Sequence, residues 1–117
     1  MIQFKSEHGE ISVSSAVFSN ITGMAATNCF GVKGMAYRSM TDGLVHLLRR
    51  EAMDKGVRIT SMGGNEISIE LHIVVEHGVN LATIGESIIG EVTYKVSEAT
   101  GVTVRDVNVF IDNMMVG

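Results

Sequence analysis

Residues 66–77 constrain this chain more than any other stretch. Ile67, Ile69, Leu71, Ile73, Val75 and His77 alternate with Glu66, Ser68, Glu70, His72, Val74 and Glu76. Side chains in an extended chain point alternately to opposite faces, so this pattern predicts a long strand with one buried and one wet face. Val57, Ile59 and Ser61 begin a partner strand ahead of Gly63-Gly64-Asn65. Matching the faces fixes the turn. A three-residue loop sets Val57 opposite Leu71, Ile59 opposite Ile69 and Arg58 opposite Glu70. A two-residue loop would slip the register and mix the faces. Asn65 is expected to take the left-handed position that such loops need.

The flanking segments supply further elements. Ile2 and Phe4, then Ile11 and Val13, alternate with polar neighbours around a Ser6–Gly9 turn and read as a hairpin. Ser14 or Ser15 caps a helix whose stripe is Val17, Phe18, Ile21, Met24, Ala25 and Cys29, with Gly31 as its stop. Val32–Arg38 reads as extended. Thr41 or Asp42 caps a second helix with Leu44, Leu47, Leu48 and Ala52 inward and Gly56 as its stop. Asn80 caps the longest helix, which ends near Gly101, with Leu81, Ile84, Ile88, Val92, Val96 and Ala99 inward. Gly85 and Gly90 interrupt it at about 1 kcal/mol each relative to alanine, a cost that close packing against a neighbouring element or subunit would explain. Val107, Val109 and Ile111 form one face of a last strand. Val102 and Val104 are out of phase with them, which predicts a bulge or a strand start near Arg105-Asp106.

Helices that interleave with strands and hairpins indicate an α+β fold, a two-layer sandwich with helices on one face of a mixed, mostly antiparallel sheet. At 117 residues the chain is one domain, residues 1–117, with 45% apolar residues for its core. Proline is absent and glycine occurs 13 times, so glycine must make the turns. The other sheet face is expected to stay open, carrying Glu70, His72, Val74, Glu76 and Phe110.

Little of this composition points to chemistry. One cysteine, Cys29, excludes an internal disulfide and a multi-cysteine metal site. It falls on a helix stripe, where a buried, inert thiol is expected. His72 and His77 point to opposite faces, with His77 inward, so they cannot share a metal. Glu70 and His72 share a face and could hold a surface cation. No cofactor motif is present. No apolar run nears the ~20 residues of a membrane helix, and the first ten residues lack a signal peptide's apolar stretch. The chain is therefore expected in the cytoplasm, without direct membrane insertion.

Charge is unevenly placed within the net −4. Six of the nine basic residues lie in residues 33–58, namely Lys33, Arg38, Arg49, Arg50, Lys55 and Arg58. Residues 65–117 carry −6. Opposite patches favour head-to-tail self-association, with Val74 and Phe110 supplying apolar contact. A net acidic chain is a poor nucleic-acid binder. The alternative is a KH-like RNA-binding module using Gly31-Val-Lys-Gly34 as its clamp, with Lys33, Arg38, Arg49 and Arg50 nearby. With 13 glycines, about one such spacing arises by chance.

One resemblance goes further. Gly9-Glu-Ile11-Ser-Val13, then Val17, Ile21, Ala25 and Gly31-Val32-Lys33-Gly34-Met35, are similar to the alkaline shock, or Gls-type general stress, proteins of Gram-positive bacteria. The likeness continues at Asp42-Gly43-Leu44, Gly78-Val79-Asn80-Leu81, Gly101-Val102-Thr103-Val104 and Val107-Asn108-Val109, covering roughly residues 4–112. It implies a non-enzymatic, homo-oligomeric protein of envelope stress response or cell-envelope homeostasis. The resemblance also implies recruitment to the membrane by an anchored protein partner, or work beside a fatty-acid-kinase-like protein. The family offers no catalytic residues to carry over, so the candidate interaction residues are those read from the faces above: Arg49, Arg50, Lys55, Arg58, Glu70, His72, Val74, Glu76 and Phe110.

Overall fold

The computed structural model describes residues 2–38, 45–47 and 56–116. The elements run β1 (Ile2–Ser6), β2 (Gly9–Val13), α1 (Ser15–Thr27), β3 (Val32–Arg38), β4 (Val45–Leu47), β5 (Val57–Ser61), β6 (Glu66–Glu76), α2 (Leu81–Thr100) and β7 (Thr103–Met115). β1 and β2 form a separate two-stranded hairpin. The other strands form a five-stranded mixed sheet among the described residues, and α1 and α2 pack on one of its faces. The fold is thus the expected two-layer α+β sandwich.

β6 is the spine of that sheet. β7 runs parallel to it from Glu66–Thr103 to Glu76–Met115, a pairing that requires the crossover supplied by α2. A strand has only two edges, so β5 and β3 share the other one. β5 pairs antiparallel over residues 67–71, and β3 over residues 73–75. Ile67, Ile69, Leu71, Ile73 and Val75 of β6 are all buried beneath Phe18, Ala25, Ile84, Ile88, Val92 and Val96.

The β5–β6 register is the one that face matching required, with Val57 opposite Leu71, Arg58 opposite Glu70 and Ile59 opposite Ile69. Gly63 and Gly64, not Asn65, take the positive φ in the turn. Asn65 instead holds the end of α2 against the start of β7. Its Nδ2 donates to the Gly101 carbonyl (3.2 Å), and its own carbonyl accepts from the Thr103 N–H (2.8 Å).

The caps of α2 are as the sequence indicates. Asn80 Oδ1 accepts from the Thr83 N–H at 3.0 Å, and Gly101 closes the helix in the left-handed conformation. The inward stripe is Ile84, Ile88, Val92 and Val96, while Leu81 and Ala99 at the ends are exposed. Ser14, the other expected cap, accepts from the Ala16 N–H. α1 is rotated from its expected face. Phe18 and Ala25 are buried, but so are Ser19, Thr22, Gly23 and Ala26, and Val17 and Met24 are exposed. Small side chains let this helix lie close to α2 and the sheet. The helix ends at Thr27, four residues before Gly31.

The expected second helix is corrected where the structure describes it. Val45–Leu47 is a strand, pairing antiparallel with Ala36–Arg38. A three-residue Val-His-Leu run fits either period, and the free edge of β3 decides for the ladder. Thr41, Asp42, Leu44, Leu48, Ala52, Arg49, Arg50 and Lys55 lie outside the described residues. Gly56 is buried, and its reason is close approach. A Cβ there would stand 2.9 Å from the Ala36 carbonyl oxygen and 3.3 Å from that of His72.

Candidate functional site

The wet face of the sheet holds interacting polar side chains that join distant segments. His72 on β6 stands opposite Phe110 on β7, and their rings stack with centroids 4.8 Å apart and 14° between planes. Nε2 of His72 lies 3.2 Å from a Glu70 carboxylate oxygen, and Nδ1 lies 3.0 Å from an Asp112 oxygen. A neutral imidazole has one N–H and can donate to only one of these carboxylates, whereas an imidazolium donates to both. Lower on the same face the Ser68 hydroxyl bonds to Asp106, and Asn108 donates to Asp106 at 3.1 Å.

Two bulges in β7 build this face. Ile67 pairs with Val104 and Ser68 with Asp106, so Arg105 is an extra residue, at the place the phase change indicated. Ile73 pairs with Ile111 and Val74 with Asn113, so Asp112 is a second. A bulged residue is re-aimed off the regular pleat. Here Asp112 leaves the ladder position beside Val74 and reaches back to His72.

Of the residues expected on the open face, Glu70, His72 and Phe110 are there, and Glu76 is exposed at the end of β6 beyond Val74. Val74 is not on it, being 1% exposed. Gly34, Met35 and Ala36 of β3 are buried in succession beside it, so both faces of the sheet are covered at that end and the open face stops at His72. His77 is likewise corrected. It lies beyond the strand and is exposed, with its backbone N–H bonded to the Met115 carbonyl. Asp112 falls on the Phe110 face of the last strand by period alone, but its bond to His72 is not legible, because nothing local in the sequence marks a second bulge. Arg58, Glu70 and His72 meet in an open depression with Ser15 and Ser19 at the border of β5.

The Gly31–Gly34 clamp is corrected too. Gly31 (φ 87°) packs against α2, where a Cβ would meet Ile84 Cδ1 at 2.7 Å, and Gly34 lies within β3 opposite Val74. That segment is ladder rather than a presented loop. No cluster of three or more potential metal ligands stands in metal-holding geometry among the described residues, which include Glu70 and His72. Cys29 Sγ donates to the Ala25 carbonyl, and burial pushes its thiol above the ordinary value, with Glu91 adding to the rise and a hydrogen bond to Ser87 opposing it. No helix among the described residues is long and apolar enough to cross a membrane.

Comparison with known proteins places this geometry. Residues 3–116 match the alkaline shock protein 23 family, described as having a cell envelope-related function. YloU of Bacillus subtilis is 30% identical over 116 residues, covering 98% of this chain and 96% of its own. A protein of Streptococcus pyogenes is 32% identical over 118 residues, covering 98% and 95%. Among solved structures, MamM CTD superposes with a TM-score of 0.53 at 16% identity, over 86% of this chain and 99% of that one. A copper form of a MamM CTD variant gives 0.52. At this identity the likeness is one of fold.

Proposed function

Because the chain belongs to the alkaline shock protein 23 family, whose function is cell envelope-related, we propose that it is a non-enzymatic interaction module of the cytoplasm. It self-associates and binds protein partners, through which it reaches the membrane. A membrane-anchored protein and a fatty-acid-kinase-like protein are the partner types that this reading favours. The observation that carries it is the His72–Phe110 stack, set across β6 and β7, flanked by the Glu70 and Asp112 carboxylates and left in solvent with Phe110 44% exposed. Protein interfaces commonly have an aromatic centre within a polar rim. Glu70 and Asp112 make that rim acidic and suit a basic segment of a partner. On this reading the basic residues Arg49, Arg50, Lys55 and Arg58 are the candidates for meeting an acidic partner surface.

The test is affinity capture from native lysate with membranes retained, comparing the wild-type chain with Phe110→Ser and with Glu70→Gln/Asp112→Asn. Proteins captured by the wild type and lost from both folded variants support the reading. An identical set from all three overturns the role of this face.

A further inference from the structure

α2 carries a second apolar row that its own fold leaves uncovered. Ile84, Ile88, Val92 and Val96 point inward, yet Leu81 and Ile89 are 42% and 41% exposed. Leu81, Gly85 and Ile89, spaced by four, form one wall of a groove whose other wall is β7 from Val107 to Ile111. Past Ile89 the row continues through Gly90, Thr93 and Tyr94. β7 is itself an edge, since no strand pairs with its outer side among the described residues. One border of the domain thus leaves both layers open, a strand edge below and a helix face above.

We propose that this border joins two copies of the chain about a two-fold axis, with β7 antiparallel to its counterpart and α2 laid along its counterpart. The proposal rests on the self-association reading above and replaces head-to-tail contact with one that closes at two. An added peptide strand would satisfy the backbone edge alone. A partner that covers both layers needs a strand edge with a helix beside it at the same height, and a second copy has both.

The glycines point the same way. Each costs about 1 kcal/mol within a helix relative to alanine, and no other element among the described residues lies within 4 Å of a Cβ built at Gly85 or Gly90. Among the described residues the expected packing against a neighbouring element is therefore absent, which leaves the expected packing against a subunit to be tested. Small residues let two helix backbones approach closely, and the groove places Gly85 on the wall that would face the second copy.

β7 is guarded mainly at its ends. Bulges and charged side chains commonly keep edges apart, and here Arg105, Asp106 and Asp112 stand at or beside the two bulges of a 13-residue strand that has no lysine or proline. The bulges at Arg105 and Asp112 bracket Asp106–Ile111, the stretch free for regular pairing.

Sedimentation of the full chain across a dilution series, with site-specific crosslinking, tests the proposal. The wild type is expected to dimerise with little response to salt. Ile89→Glu, at an exposed position, should leave the thermal melt of the monomer intact and weaken the dimer about a hundred-fold, as a buried unpaired charge does. In a Cys29→Ala background, Asn108→Cys should crosslink between copies through a short bismaleimide, and Ser61→Cys on β5 should not. A dimer that survives Ile89→Glu and crosslinks only through Ser61→Cys overturns this interface while leaving self-association standing. A wild type that is monomeric at every concentration overturns both and gives the groove to a different protein.

Discussion

Glycine has three separate roles in this chain. Gly31 holds φ 87° and has Ile84 Cδ1 where a Cβ would go, so Gly31→Ala combines backbone strain with overpacking. Urea titration should show a loss of about 1–3 kcal/mol. Gly56 is fixed by the closeness of two carbonyl oxygens. Gly85 has ordinary helical φ and empty space, so Gly85→Ala should raise the stability of dilute, monomeric protein by up to about 1 kcal/mol. Thr22 offers another gain. Its hydroxyl is buried without a hydrogen-bond partner among the described residues, and Thr22→Val should stabilise the protein by about 1 kcal/mol in the same titration. Cys29 should react with a thiol reagent far more slowly in the folded chain than in urea, because burial disfavours the thiolate. Its raised folded value means the unfolded chain loses the proton first. The stabilising contribution is full below the ordinary value of 9.0 and is lost as the pH rises through the folded value.

Among the elements, those specified by neighbours in sequence were legible there. Alternation gave β6, Asn80 and Gly101 bounded α2, and the phase change between Val104 and Val107 located the first bulge of β7. Removing the cap by Asn80→Ala should lower stability by about 1 kcal/mol, read from the shift of the thermal midpoint. The candidate site was legible in part. Glu70, His72 and Phe110 could be assigned to one face by period alone, but the bond from Asp112 depends on a bulge set by pairing across forty residues of chain. α1 was misread for a related reason. Its core face is chosen by how closely the helix must approach its neighbours, which selects Ser19, Thr22 and Gly23 over Val17 and Met24.

For the whole molecule, the order of elements was enough for the layers but not for the pairing. Val45–Leu47 became a strand because β3 had an edge to offer, a fact decided in three dimensions. If the border of α2 and β7 joins two copies, the thermal midpoint should rise with protein concentration, since association stabilises the folded state by mass action. A midpoint unchanged over a wide dilution range would contradict that. The placement of β6 has a different consequence. Every other strand of the five-stranded sheet except β4 is bonded to it, two on one edge and one on the other. Neither β5, β3 nor β7 can be peeled away in a way that exposes both edges of the spine, so its interior has no private route of opening. In deuterated buffer the amides of Ile69 to Ile73 should be the last to exchange, at a rate set by global unfolding. Outward amides of Asp106–Ile111 should exchange early in dilute protein and slow as the concentration is raised.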